Sequence, residues 1–250
     1  MGRCNCQAGT MRRASKFVRL LLERSHRSAL VRHHIAAGVE HTRVLKGLDC
    51  QTVIDIGANR GQFALAARHC FPQATIVSFE PLSGPAERFR HVLARDPGIA
   101  LHQVAVGAAS GEATIHVSGR DDSSSLLQLT TLQGSLFPGT AEVRTETVRV
   151  GRLSEFVDRE SINPPALLKL DVQGYELETL KGCQGMIDCF LYIYAECSFV
   201  ELYEGQAFAD EVIAWLHERE FHICGAYNVA YDAQGIAIQA DLLFKSRREI

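Results

Sequence analysis

The 250-residue sequence lacks the features that define several large protein classes. Its 46% hydrophobic and 22% charged residues, with only 7 prolines, are near globular averages, which excludes a disordered or collagen-like chain. Its longest apolar stretches, such as Phe190–Ala195, are far shorter than the roughly 20 residues of a membrane-spanning helix. The apolar segment Phe17–Leu22 is interrupted by Arg19, so we expect no signal peptide.

Several catalytic and metal-binding motifs are also missing. The sequence contains no G-x-S-x-G, H-E-x-x-H or Walker pattern, which removes the common hydrolase, zinc-protease and P-loop classes. Its eight cysteines show no paired C-x-x-C spacing of a zinc site. Six of them lie in or beside apolar runs: Cys50, Cys70, Cys183, Cys189, Cys197 and Cys224. We therefore expect these six to be free, buried thiols and the protein to be cytoplasmic.

Basic residues are concentrated at the beginning of the sequence. Residues 1–50 hold 10 of the 26 lysines and arginines and three acids, a net +7, whereas the other 200 residues carry 16 basic and 26 acidic groups, a net −10. The main body therefore cannot form a uniformly basic surface, and we expect no nucleic-acid partner. Residues 11–38 combine helical apolar spacing with arginines, which predicts a basic helix that packs over a sheet edge. Peripheral contact with a membrane is the alternative.

From Gln51 onward, short apolar runs alternate with amphipathic stretches, so we divide the chain into a helical extension, residues 1–48, and one domain, residues 49–250. The predicted strands are Thr52–Ile56, Thr75–Phe79, Ala100–Val106, Leu167–Val172, Leu191–Glu196, His222–Tyr227 and Ile238–Phe244. The predicted helices are Gly61–His69, Pro85–Ala94, Tyr175–Lys181 and Phe208–Arg219. This alternation predicts an α/β fold, a mostly parallel sheet with helices on both faces.

Two segments interrupt the alternation of strands and helices. Glu112–Ser118 alternates apolar and polar residues, which predicts a strand exposed on one face. Gly119–Gly139 is rich in Asp, Ser and Gly, and predicts an insertion over the sheet. Long insertions of this kind often act as lids, so we expect Asp121–Ser125 to be mobile while the site beneath is empty. An inert solvated loop is the alternative.

The most informative segment joins the first predicted strand to the first predicted helix of the domain. The strand reaches Asp55, and Gly57, Asn59 and Gly61 then occupy a tight turn that brings backbone N–H groups close to a ligand. The spacing D-x-G-x-N-x-G differs from the G-x-G-x-x-G of dinucleotide oxidoreductases. Asp55 would repel a pyrophosphate but attract the positive charge and amino group of S-adenosylmethionine.

The second predicted strand also ends in an acid, Glu80, which Pro81 follows. A carboxylate at this position can accept hydrogen bonds from both ribose hydroxyls of an adenosine ligand. The glycine turn and this acid together predict a nucleoside cofactor. A nicotinamide-dependent oxidoreductase is the competing enzyme class, disfavoured by Asp55 and the missing third glycine. A binding module without turnover is the third alternative.

A second group of polar residues follows the strand Leu167–Val172. Lys169 and Asp171 are two residues apart, so they project to the same face and could pair. The next strand ends in Glu196. Asp171 and Glu196 could together bind Mg²⁺, or one of them could act as a base; we prefer a metal-free site with Asp171 as base and Lys169 modulating its charge. Glu176 either takes part in this chemistry or only stabilises a helix start.

These residues resemble the FkbM-type S-adenosylmethionine-dependent methyltransferases. The matching segments occur in the family's order over roughly residues 50–245: Val53–Gly61, Phe79–Pro81, Ala105–Gly107, Ser123–Leu126, Lys169–Glu176 and Asp241–Phe244. Gln173 departs from the family, which often carries Glu there, so we assign position 173 no catalytic role.

The resemblance implies a Rossmann-like, seven-stranded class I methyltransferase sheet whose last strand is antiparallel. It implies methyl transfer to an oxygen of a sugar, lipid or polyketide, and hence a small-molecule or glycan-like acceptor. From the strand-end residues themselves, our candidate catalytic residues are Asp171, Lys169 and Glu196. The implied S-adenosylmethionine-binding residues are Asp55, Gly57, Ala58, Asn59, Gly61, Phe63, Glu80, Pro81, Ala105, Val106 and Asp171, with Ala105 and Val106 flanking the adenine and Asp171 facing the methyl group.

Overall fold

The computed structural model describes Leu20 and residues 23–248. Its strands are β1 Thr52–Ile56, β2 Thr75–Phe79, β3 Ile99–His102, β4 Ala105–Val106, β5 Gly111–Ser118, β6 Glu142–Gly151, β7 Ala166–Leu170, β8 Tyr192–Ser198, β9 Phe221–Tyr231 and β10 Ala237–Ser246. Its α-helices are α1 Arg24–His33, α2 Thr42–Leu45, α3 Gln62–Cys70, α4 Ser83–Leu93, α5 Thr131–Leu136, α6 Glu176–Cys183 and α7 Ala209–His217.

The central sheet contains seven strands in the order β3-β2-β1-β7-β8-β10-β9. β1 pairs in parallel with both β2 and β7, whereas β10 runs antiparallel to β8 and β9. The Rossmann-like, seven-stranded fold with an antiparallel last strand is therefore confirmed. The strand order changes direction between β1 and β7, and open α/β sheets bind ligands at the carboxyl ends of strands at such a point.

Helices cover both faces of the sheet, as predicted. Side chains alternate along β1, so that Val53 faces one apolar core and Ile54 the other. The core around Val53 is completed by α3, α4 and the segment that leads to β1, including the buried Phe63. The opposite core is completed by α6 and α7, through Leu180 and Leu216.

The prediction of one strand over Ala100–Val106 is wrong, because the chain leaves the central sheet after β3. β4 pairs instead with β6, in a separate three-stranded sheet of order β4-β6-β5. β5 confirms the predicted strand at Glu112–Ser118 and pairs antiparallel with β6. The sequence analysis missed β6, where charged residues and threonines dominate and few side chains, such as Val148 and Val150, are buried.

The amino-terminal helix ends earlier than predicted. α1 ends at His33 because His34 adopts the left-handed conformation with φ 57°. Ala29 of α1 is buried in the core to which α3, α4 and the edge strand β3 also contribute. The remainder of the predicted helix, residues 11–19 and 21–22, lies outside the described residues, and membrane contact stays a prediction. In the part of the chain that the structure describes, no helix has the length and apolarity needed to cross a bilayer.

The six cysteines within the described residues are free thiols. Cys50, Cys183 and Cys197 are buried as expected, but the prediction is wrong for Cys224, which is exposed. Cys224 lies on β9, the edge strand of the central sheet. The cytoplasmic location stays a prediction.

Candidate active site

A cavity of about 440 Å³ lies at the carboxyl ends of β1, β2 and β7. Its volume is within the range of 300–1,000 Å³ that is usual for small-molecule sites. Most of the predicted site residues line it: Gly57, Ala58, Asn59, Phe63, Glu80, Pro81, Ala105, Val106, Lys169 and Asp171. Three predicted residues are not part of its lining, namely Asp55, Gly61 and Glu196.

The glycine turn after β1 is held against the end of β7. Gly57 has φ +81°, and a Cβ atom there would lie 1.8 Å from the carbonyl oxygen of Asp171, so no other residue fits. The Asp171 N–H in turn donates to the carbonyl oxygen of Ile56 over 3.1 Å. Gly61 does not line the cavity. It packs against the core residues Phe89 and Leu93, which a Cβ atom at this position would crowd.

Glu80 fastens the same turn to the end of β2. One carboxylate oxygen accepts the N–H of Asn59 over 2.9 Å and the other accepts the N–H of Leu82 over 2.8 Å. Burial raises the pKa of Glu80 to about 7. A carboxylate has about four acceptor sites, so Glu80 keeps two for ligand hydroxyls on the cavity side.

Lys169 forms a buried ion pair that the sequence analysis did not foresee. The register of β1 and β7 places Asp55 opposite Lys169, and the lysine Nζ lies 3.2 Å from Asp55 Oδ1. Nζ also lies 3.5 Å from Asp171 Oδ2 and donates to the Gly57 carbonyl oxygen over 3.2 Å. Burial lowers the pKa of Lys169, but attraction to Asp55 and Asp171 outweighs burial and raises the pKa overall. The lysine is therefore charged.

This ion pair changes the role that can be assigned to Asp55. Its side chain is completely buried and does not line the cavity, whereas Lys169, whose Nζ lies 3.2 Å from it, does. The contact of Asp55 with a cofactor amino group stays a prediction. Asp171, by contrast, lines the cavity with its side chain 34% exposed. Counted by formal charge, the two carboxylates outnumber the one ammonium at this end of the cavity, which favours a positively charged ligand.

Glu196 lies behind Gln173, outside the cavity lining. The Gln173 amide donates to Asp171 Oδ1 over 2.6 Å and to Glu196 Oε2 over 2.9 Å, while Gln239 donates to the other Glu196 oxygen over 2.6 Å. Burial, followed by repulsion from Asp171 and Asp241, raises the pKa of Glu196 well above its usual value.

An amide group thus occupies the place between Asp171 and Glu196 where the alternative hypothesis put Mg²⁺. Within the described ranges, Leu20 and 23–248, no group of three or more His, Cys, Asp or Glu side chains could hold a metal ion. The structure gives the magnesium hypothesis no support.

Gln173 is the residue whose importance the sequence analysis missed. Besides its contacts with the two acids, its side-chain oxygen accepts the hydroxyl of Tyr203 over 2.7 Å. Its backbone oxygen accepts the hydroxyl of Ser125 over 2.6 Å. Gln173 therefore connects the insertion to the acids at the strand ends. The only sequence feature that pointed to this residue was its difference from the glutamate that the family often carries there.

The insertion lies over the cavity, as predicted. Asp121, Asp122 and Ser124 line the cavity, and Asp121 accepts a hydrogen bond from Arg60 Nε over 2.9 Å. Ser125 is buried, so this part of the insertion is not a solvated loop. The remainder contains α5. Its mobility stays a prediction.

The segment before α2 also lines the cavity, through His34, Ile35, Gly38, Glu40 and His41. The His41 ring nitrogen lies 3.2 Å from the Tyr194 hydroxyl, which donates to Asp241 over 2.9 Å. Burial and the adjacent Asp241 raise the pKa of Tyr194, which keeps the hydroxyl protonated. No local sequence pattern marks this segment, because its contacts come from parts of the chain far away.

Glu176, for which two interpretations were open, acts within the loop after β7. Its carboxylate accepts the N–H groups of Val172 over 3.1 Å and Gly174 over 3.3 Å, and burial raises its pKa to about 7. It does not line the cavity, which favours the interpretation that it stabilises the helix start.

Several known proteins are similar to this chain. The chain matches the family described as the methyltransferase FkbM domain over residues 55–223. It is 30% identical over 165 residues to the 2-O-methyltransferase NoeI of Sinorhizobium fredii. The aligned region covers 62% of this chain and 66% of the relative. It is 25% identical over 146 residues to the hexuronic acid methyltransferase AglP of Haloferax volcanii, covering 57% of this chain and 54% of the relative.

The chain thus spans about half to two thirds of the length of these curated relatives. Among solved structures, an rRNA methylase from Streptococcus thermophilus superimposes with a TM-score of 0.48 and 9% identity, over 83% of this chain and 94% of that one. A likeness of this size says nothing about substrates. Because the family match extends over more than half of the sequence, the chain belongs to the FkbM methyltransferase family.

Proposed function

We propose that this chain transfers the methyl group of S-adenosylmethionine to a hydroxyl group of a glycan-like acceptor. The observation that carries the proposal is the position of Asp171. It is the partly exposed carboxylate of the strand-end cluster, it lines the cavity, and Lys169 lies 3.5 Å from it. Asp55 is buried and Glu196 is shielded by Gln173, so neither is as accessible to an acceptor.

The residues present fit the cofactor. Glu80 would accept the ribose hydroxyls, Ala105 and Val106 would flank the adenine, and the net negative charge at Asp55, Lys169 and Asp171 would attract the sulfonium. Bound S-adenosylmethionine supplies an electrophilic methyl group.

The chain's own residues would prepare the acceptor. Asp171 accepts the proton of the acceptor hydroxyl, whose oxygen becomes more nucleophilic as the proton leaves. The ammonium group of Lys169 lies 3.5 Å from the Asp171 carboxylate, and the amide of Gln173 fixes the direction of that carboxylate. The insertion over the cavity would hold the acceptor near the methyl group and exclude water.

The names of two relatives support a glycan-like acceptor. One is a 2-O-methyltransferase and the other a hexuronic acid methyltransferase. We therefore propose that the methyl group is transferred to an oxygen atom and that this oxygen belongs to a sugar.

Calorimetry with S-adenosylhomocysteine tests the cofactor, and absence of binding would end the proposal. Asp171→Asn should reduce turnover about 100-fold or more, the usual contribution of a general base, while leaving S-adenosylhomocysteine affinity nearly unchanged. Asp210→Asn, which removes an exposed acid in the first turn of α7, serves as the matched control and should retain full turnover. A loss confined to cofactor affinity would reassign Asp171 to cofactor binding.

The same protein samples discriminate the alternatives. Saturable enhancement of NADH fluorescence would favour a nicotinamide-dependent oxidoreductase. Binding of S-adenosylhomocysteine without methylation of any glycan or lipid acceptor in a panel would favour a binding module without turnover.

A further inference from the structure

A second groove, of about 590 Å³, opens beside the cavity. Arg60, Leu82, Asp121 and Asp122 belong to the lining of both, so the two spaces meet where Arg60 pairs with Asp121. The groove continues outward between the start of α4, the beginning of the insertion and β6. A molecule that reaches from the cavity toward solvent in this direction enters the groove.

The groove is positively charged in a part of the chain that is otherwise acidic. Its lining contains Arg60, Arg88, Arg120 and Arg144 against the carboxylates of Asp121 and Asp122, a net +2. Residues 51–250 together carry a net −10. The four guanidinium groups thus form a positively charged surface on a domain whose overall charge is negative.

Most of these guanidinium groups are available to a ligand. Arg88 is exposed and has no ion-pair partner among the described residues. Within the part of the chain that the structure describes, Arg120 and Arg144 form ion pairs only with acids two positions away, and their side chains are 53% and 59% exposed. Ion pairs this exposed contribute little, so a ligand anion can replace them at low cost.

The start of α4 adds to the attraction. Gly84 and Pro85 line the groove, and this eleven-residue helix has neither a side-chain cap nor an acid in its first turn. Its positive end therefore points to the same space as the arginines. Arginine pairs bidentately with carboxylate and phosphate groups, which gives the groove a preference for these anions.

We propose that this groove binds an anionic group of the acceptor, a carboxylate or phosphate carried on the sugar that presents its hydroxyl to Asp171. This inference rests on the proposed function, which it deepens by naming the acceptor as an acidic glycan. Arg60 marks the passage between the cofactor cavity and the groove. Arg88 and Arg144 are the residues expected to contact the anion.

The test measures binding and needs no turnover. The protein saturated with S-adenosylhomocysteine is titrated with glucuronate, glucose 6-phosphate and glucose at constant ionic strength, and amide chemical shifts are followed. We expect the anionic sugars to bind and glucose to bind at least about tenfold more weakly. The stronger of the two anions identifies carboxylate or phosphate as the preferred group.

Variants locate the binding. Arg88→Gln/Arg144→Gln should weaken anion affinity about tenfold or more and leave S-adenosylhomocysteine affinity unchanged. Arg90→Gln, on the same helix but bonded to Gln103 and outside the groove, is the control and should bind like the wild type. Anion affinity equal to that of glucose, or unchanged in the double variant, would overturn the inference. If S-adenosylhomocysteine itself does not bind, the proposed function fails, and the titration without it still decides about the groove.

Discussion

Replacing Lys169 with methionine should destabilise the protein because it leaves a buried carboxylate without its counter-charge. Asp55 has no exposed surface, and apart from the ammonium group 3.2 Å away its oxygens have no partner among the described residues. Methionine has a similar length but no charge. The remaining carboxylate must then stay ionised in an apolar environment or take up a proton.

The expected loss in free energy of unfolding is about 3–5 kcal/mol near neutral pH, the usual cost of breaking a buried ion pair from one side. Its pH dependence follows from Asp55. Burial raises the pKa of Asp55, so the folded variant binds a proton more tightly than the unfolded chain. The loss should therefore shrink as the pH falls. In the wild type the raised pKa of Lys169 means that its contribution is lost only at alkaline pH.

Urea denaturation followed by circular dichroism, at about pH 8 and about pH 5, measures both effects. Asp55→Asn/Lys169→Met removes both charges and should recover much of the loss. Lys181→Met, which removes an exposed lysine paired with Glu178, should cost less than about 0.5 kcal/mol. A loss for Lys169→Met below about 1 kcal/mol, equal at the two pH values, would refute the reasoning, because it would mean that water solvates Asp55.

Three further predictions concern the cavity. Gly57→Ala should cost about 2–4 kcal/mol in urea denaturation, since its Cβ would lie 1.8 Å from the Asp171 carbonyl oxygen; a neutral substitution would contradict the close approach. Affinity for S-adenosylhomocysteine, measured by calorimetry, should fall as the pH drops below about 7, where Glu80 gains a proton, and Glu80→Gln should abolish this dependence. Hydrogen exchange over residues 119–139 should slow when S-adenosylhomocysteine and acceptor bind, and Ser125→Ala should accelerate it; equal exchange in all states would favour the inert loop.

The sequence predicted the inner strands well because burial on both faces demands unbroken apolar runs. β1 and β2 have the predicted bounds. The third strand was predicted too long because Leu101 and Val104 are both apolar. The chain nevertheless leaves the central sheet between these two residues. β6 escaped prediction because one of its faces is open to solvent, so its residues carry little hydrophobic pattern.

The candidate site was predictable where chain order alone determines position. Parallel strands bring their carboxyl ends to one edge, so Glu80 and Asp171 could be assigned to the same cavity. The pairing of Lys169 with Asp55 depends on which strand lies beside β1 and in which register, which no local spacing reveals. The same holds for His41, whose partner Tyr194 lies 153 residues away.

The contact between His41 and Asp241 joins the two parts of this chain that flank the matched region. The two side chains approach to 3.5 Å, yet one precedes and the other follows the matched region, residues 55–223. His41 lines the cavity, and Asp241 holds it from outside the lining, so the two flanks meet next to the cavity. A substitution at Asp241 can therefore shift His41, a residue of the cavity lining, from a position far along the chain from the glycine turn and Asp171.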